Sequence, residues 1–283
     1  MPTRIIVAEM ILRVLTALIC GALLHCWNSD LKAATIYVSD SYKIIQDAVD
    51  HAQSGDTVVV REGEYHGNIV ITKPLILKSE KGPDKTVVKA ADTSEPVFRV
   101  SDVSNVTISG FTATESSVAG FYLNKSVNSE ISNNKAINNR NGIFLYSSEH
   151  ITVTDNKSDF NNLTGIYLEA SHNNILERNE TNSNKEKGIF LNSSNNNAIV
   201  NNIANRNEWN GITMWVSNNN RVEKNEVMRN TYSIIVSGSI GNIVNDNYTW
   251  TNLYIILPII LIYIGIILFF IQRKIFSLIY SGS

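Results

Sequence analysis

Gly188-Ile189-Phe190-Leu191-Asn192-Ser193-Ser194-Asn195-Asn196-Asn197 passes from a run of β-formers into three consecutive asparagines. The same shape recurs at Gly120 to Leu123 (GFYL), Gly142 to Leu145 (GIFL), Gly165 to Leu168 (GIYL) and Gly211 to Met214 (GITM). A sixth copy, Ser233 to Val236 (SIIV), lacks the glycine. The spacings are 22, 23, 23, 23 and 22 residues. A column of asparagines keeps the same step: Asn134, Asn156, Asn179, Asn202, Asn225 and Asn247. Three residues ahead of it runs an apolar column, Ile131, Val153, Leu176, Ile199, Val222 and Val244. A period this regular has to be read before any local structure.

Within each unit the first and third residues after the glycine are apolar, as in Ile189 and Leu191, and alternation places them on one face of a short strand. One such strand has too little apolar surface to persist in water. Stacked on its copy from the next coil, it pairs its backbone and extends a continuous core. Asparagine suits the corners, because it tolerates left-handed backbone and bonds to nearby main-chain groups. Corner columns run through Asn173-Asn174, Asn196-Asn197 and Asn219-Asn220, and through Asn139, Asn161, Asn184, Asn207 and Asn230. A leucine-rich horseshoe would need LxxLxLxxN spacing, which is missing. A helical solenoid would need a 3.6-residue period, and a disordered asparagine-rich tract would not keep apolar columns. The reading is an all-β, right-handed parallel β-helix over 56–250, of eight or nine coils.

The flanks differ from this middle. Arg4 and Arg13 precede an apolar run, Val14 to Leu24, suited to a signal-peptide core, with Ala33-Ala34 as a cleavage point; 1–34 is then a signal peptide or an N-terminal anchor. Residues 35–55 read as a strand and a capping helix, with Tyr42 to Ala52 amphipathic around Ile44-Ile45, Ala48-Val49 and Ala52. Residues 253–271 carry no charge. As a helix they reach about 28 Å, enough to span a bilayer, with Arg273 and Lys274 holding a short tail, 272–283, in the cytoplasm. The repeat domain then lies outside the membrane, and its last coil sits at the bilayer surface with Trp250 and Tyr254 as interface anchors.

Ile45 to Val49 (IQDAV), Gly55 to Val60 (GDTVVV), Gly63-Glu64-Tyr65 and Ile69 to Leu77 (IVITKPLIL), followed by the GIFL and N-x-I-x-x-N coils, resemble the NosD-type β-helix family and the wider group of carbohydrate-binding and sugar-hydrolysis β-helix domains. The resemblance covers 42 to 248 and departs at Ser79, where the family often has glycine. It implies the fold. For activity it implies three expectations, namely a surface or envelope protein of the kind common in archaea, a polysaccharide-acting enzyme, or a periplasmic accessory in copper-enzyme maturation.

The net charge of -2, from 24 basic and 26 acidic residues, gives no nucleic-acid footprint. The only cysteines, Cys20 and Cys26, exclude a disulfide scaffold. No cofactor is expected. Hydrolysis would need converging carboxylates, and Asp155, Asp159 and Glu177 are the nearest to such a trio. His150 and His172 fall on successive coils, but a Glu149–His172 surface contact accounts for them better than a metal. The outward column of Tyr122, Phe144, Tyr167 and Phe190, with Tyr146, Glu169 and Trp215 two residues on, reads as a ladder for sugar rings or a partner protein, or as stacking that stabilises the sheet. Sequons stand at Asn105, Asn124, Asn156, Asn162, Asn179, Asn192 and Asn247. The expectation is a non-catalytic, membrane-anchored binding protein for polysaccharide or an envelope protein, with hydrolase or lyase as the alternative.

Overall fold

The structure, a computed structural model, describes residues 33–38, 43–251 and 261–272. The chain winds as a parallel β-solenoid of right-handed type, with a ten-stranded, an eight-stranded and a four-stranded sheet along its sides and a two-stranded sheet near its end. Each strand pairs with its equivalent in the next coil. Ile143 lies between Phe121 and Ile166, and Leu145 between Leu123 and Leu168. Where the third side forms no strand, single bridges link Lys135, Lys157, Glu180, Ile203 and Glu226 from coil to coil. The 22–23-residue period is therefore one turn of the solenoid.

Alternation fills the interior. Ile189, Leu191 and Ile199 are fully buried and belong to one core that runs the length of the rod. Each such side chain contributes about 1.5–3 kcal/mol. In the early coils the core is aromatic: Phe98 stacks on Phe121 at 4.9 Å and meets Phe111 at 5.2 Å.

The corners divide their work between two neighbouring residues. The first adopts left-handed backbone, as in Asn133, Asp155, Arg178, Asn201, Lys224 and Asp246, with φ near +55°. The second, the repeating asparagine, is buried and joins a ladder. Asn179 Oδ1 accepts both the Asn156 main-chain N–H (3.0 Å) and Asn156 Nδ2 (3.0 Å), and Asn179 Nδ2 donates to Val153 O (2.8 Å). The bonds from Asn134 to Asn156 and from Asn202 to Asn225 repeat this arrangement in the same direction. The left-handed role expected of corner asparagines is taken by the residue before each ladder position, which is asparagine at Asn173, Asn196 and Asn219 but Asp155, Arg178 or Lys224 elsewhere. A serine ladder, Ser126, Ser148, Ser171, Ser194, Ser217 and Ser239, turns another corner by the same device: from Ser148 on, each hydroxyl oxygen accepts the N–H of the serine one coil back. The repeat glycines meet a different demand. A Cβ on Gly188 would lie 2.7 Å from the Gly211 carbonyl, so close approach between coils excludes a side chain there.

The sheet begins earlier than 56, because strand Thr35–Val38 pairs with Thr57–Val60. Ten rungs at the usual spacing of about 4.8 Å make a rod of about 43 Å. The helix is Ile45–His51, shorter than expected. Ile44 is extended (φ −116°) and exposed, while Ile45, Ala48 and Val49 are buried. Residues 261–272 are helical, with every residue exposed. Among the described residues no helix is long and apolar enough to cross a membrane. The expected leader to residue 32, both cysteines, 253–260 of the expected span, Tyr254 within it, and the tail from 273 lie outside the described residues.

Candidate functional site

The outward column of the eight-stranded sheet forms a continuous stack. Tyr122 and Phe144 are tilted at 5.1 Å, Phe144 and Tyr167 parallel within 11° at 4.7 Å, and Tyr167 and Phe190 parallel within 5° at 5.0 Å. The Arg99 guanidinium lies over Tyr122 at 5.5 Å, and Lys187 Nζ over Phe190 at 4.8 Å. Ring faces are thus occupied by other rings along the stack and by cations at its ends. The rings stack on one another from coil to coil, the sheet-stabilising arrangement given as the second reading of this column, and what the column leaves open to a ligand is ring edges.

Beside these edges is a groove of about 390 Å³ lined by Arg140, Phe144, Tyr167, Glu169, Glu186 and Lys187. Tyr167 donates its hydroxyl to Glu169 Oε2 at 2.9 Å, and burial pushes its pKa up to about 12, which keeps it a neutral donor. Lys187 pairs with Glu186 at 3.0 Å and lies 5.0 Å from the ring centre of Trp209. Along the neighbouring outward column Tyr146, Glu169, Asn192 and Trp215 are in register, and Tyr146 and Trp215 are exposed. Arg140, Glu186, Lys187 and Trp209 were absent from the sequence-derived site. Their signal is the repeat itself, since Arg140, Glu186 and Trp209 all stand two residues before a repeat glycine and Lys187 one before.

The expected acidic trio does not converge. Arg178 binds Asp155 through Nε and Nη2, each at 2.8 Å, and reaches Glu177 through Nη1 at 2.8 Å. Its guanidinium holds the Asp155 carboxyl below its ordinary range. Asp159 lies beyond the Asn156 corner, only 3% exposed; burial raises its pKa although it accepts the Asn182 N–H at 2.7 Å and lies 3.6 Å from Lys157 Nζ. Asp155 and Glu177 share one guanidinium, which offsets one of their two charges, and Asp159 is buried beyond the next corner, so the three carboxyls do not gather into one open cluster.

Glu149 and His172 are in register, but His172 Nδ1 accepts the Asn195 N–H at 3.1 Å, which replaces the expected carboxylate contact. Among the sequons, Asn105 and Asn162 are exposed and Asn124, Asn192 and Asn247 half-buried. Asn156 and Asn179, 2% and 0% exposed with both amide hydrogens engaged in or beside the ladder, leave no room for a glycan in the folded chain, which corrects that expectation.

A family model described as "Periplasmic copper-binding protein (NosD)" matches residues 49–256. No curated protein matches the chain in sequence. Among solved structures, pectate lyase Pel9A superposes with a TM-score of 0.60 at 13% identity, covering 79% of this chain and 80% of its own. The periplasmic alginate epimerase AlgG gives 0.51 at 16% identity, covering 77% and 85%. At such identities the likeness is one of fold. Among the described residues no three His, Cys, Asp or Glu side chains are grouped to hold a metal ion. Of the histidines, His172 takes a main-chain N–H, His51 Nδ1 contacts Asp47 O, and His66 pairs with Glu64. These residues do not fit a copper centre.

Proposed function

The chain belongs to the family described as periplasmic copper-binding protein NosD, and from that premise we propose a membrane-anchored, extracytoplasmic solenoid that binds carbohydrate of the cell envelope without transforming it. The observation that carries this reading is the groove on the eight-stranded sheet, where aromatic edges lie beside Arg140, Glu169, Glu186 and Lys187. Apolar edges with both signs of charge and a neutral phenol suit a ligand that is a hydroxyl-rich polymer. Exposed Tyr146 and Trp215 supply the free ring faces that the ladder lacks. The family description is periplasmic, and the same fold serves a pectate lyase and an alginate epimerase. In this reading residues 1–34 direct export, 253–271 hold the chain in the bilayer, and the helix Ile45–His51 covers the first coil.

The test is a polysaccharide pull-down with the full chain in detergent, wild type against Tyr146→Ala/Trp215→Ala and against Glu169→Gln. None of the three is a ring of the stack itself, although Tyr146 meets Phe144 edge-on at 6.3 Å and Glu169 accepts the Tyr167 hydroxyl, so the thermal midpoint of each variant is read alongside. At least tenfold weaker retention supports the site, and unchanged retention by both variants removes it. Release of shorter or unsaturated sugars from the same mixture would put a lyase or hydrolase in place of the binding reading.

A further inference from the structure

The last coil, Tyr232 to Thr251, departs from the pattern of the others. It carries one charge, Asp246, where the preceding coil, Trp209 to Thr231, carries five. The change is concentrated at outward positions. Ile240 takes the place that Asn218 holds one coil earlier, Ile243 that of Arg221, and Tyr248 that of Glu226. Position at the end of the rod does not explain this, because these side chains point outward in every coil. Ile240 is 76% and Tyr248 70% exposed, with Ile243, Tyr232 and Trp250 also open to solvent. Three polar groups replaced by apolar ones on different sides make a collar with Tyr and Trp among its members, the composition found where proteins meet the headgroup layer.

Two further observations name what covers the collar. The ladders end here with donors: among the described residues the N–H groups of Ser239, Asn242 and Asn247 have no acceptor, although the side chains of all three accept from the coil before. Residues 261–272 are helical, and those from Leu261 to Ile271 are apolar and exposed all round, a surface suited to lipid.

We propose that the terminal coil is itself a lipid-contacting element, its apolar collar set at the headgroup–acyl boundary and the N–H groups at its ladder ends facing lipid phosphate oxygens. The proposal rests on the membrane-anchored part of the functional reading and is independent of the carbohydrate site. The solenoid then stands on the bilayer instead of swinging from a tether.

The test places a fluorophore on single cysteines in the full chain carrying Cys20→Ser and Cys26→Ser. Ile240→Cys and Tyr248→Cys report the collar, and Asn162→Cys, exposed at mid-rod, is the reference. The chain is reconstituted in phosphatidylcholine–phosphatidylglycerol nanodiscs at one copy per disc. Quenching is read from iodide in water and from lipids spin-labelled at the headgroup or the upper acyl chain. The expected result is at least threefold stronger lipid quenching at both collar positions than at the reference, falling to the reference level when Ile243→Asp and Trp250→Asp are added. Equal quenching at all three positions overturns the proposal. So does iodide shielding that appears only when several copies share a disc, which would make a second copy the occupant. Resistance to alkaline extraction is scored separately. A chain that resists extraction while its collar probes face water keeps the anchor and loses the docking, whereas an extractable chain loses the anchor.

Discussion

Single residues in this solenoid carry either a contact between coils or a backbone conformation, and substitutions separate the two. Gly188→Ala forces a methyl group against the Gly211 carbonyl and is expected to cost about 1–3 kcal/mol, read as a fall in the thermal midpoint in detergent. Asn179→Ala strands the Asn156 main-chain N–H and takes a donor from the Val153 carbonyl, while Asn156 Nδ2 keeps the Ile131 and Thr154 carbonyls, and is expected to cost about 2–4 kcal/mol. Val216 has the opposite sign. It is a β-branched residue held at φ 48° on the surface, so Val216→Asn should raise stability by up to about 1 kcal/mol; a loss would show that its methyl groups are needed where they are. The asparagine columns were legible at this scale because they repeat by identity. The serine column, from Ser126 to Ser239, has the same period and could be read the same way. The division of each corner into a left-handed residue and a ladder residue was not legible. Asp155, Arg178 and Lys224 share no chemistry, only a torsion angle.

Elements show where sequence reading stops short of a site. The alternation of GIFL gave the inward and outward faces, and pairing confirmed the register of Tyr122, Phe144, Tyr167 and Phe190. Whether those rings would stack on each other or stand apart depends on side-chain torsions that no pattern encodes. The reach of Arg178 to both Asp155 and Glu177 likewise depends on a long side chain crossing to the neighbouring coil. Phe144 has a ring on each side, so Phe144→Ala should cost about 3 kcal/mol or more, and more than Tyr122→Ala at the end of the stack; equal costs would mean the stack adds nothing to burial. Asp159 gives a pH signature. Burial raises its folded pKa above that of the unfolded chain, so the folded state holds the extra proton and stability falls as pH rises from about 4 through the folded value. Asp159→Asn keeps an acceptor for the Asn182 N–H. It should match wild type at pH 3.5 and equal or exceed it at pH 7, as measured by thermal midpoints at the two pH values. A variant less stable only at pH 7 would mean that the Lys157 ion pair outweighs desolvation.

For the whole molecule, architecture was the most legible level, since a 22–23-residue period with buried apolar columns leaves few folds to choose from. The ends were the least legible, because a terminal strand or helix has no copies to be recognised by: the strand at Thr35 was expected but not its pairing with Thr57–Val60, and the helix at Ile45 is shorter. In a rod each coil touches only its neighbours, so damage acts by position. Leu168→Ala at mid-rod should cost about 2–5 kcal/mol and split the unfolding curve into two transitions, whereas a single shifted transition would show that the coils remain coupled across the defect. The ladders also give the rod a direction. From one ladder residue to the next the bonds run one way, each main-chain N–H donating to the Oδ1 one coil nearer the C-terminal end, in the manner of a one-way thread, while Nδ2 also reaches back to a carbonyl of the coil before. Two copies joined through their ladders could meet only head to tail, and a head-to-tail joint does not close on itself but propagates as a fibre. Seating the donor end on a bilayer removes that growing tip, so the membrane would act as the stop that keeps each solenoid a single, finite particle.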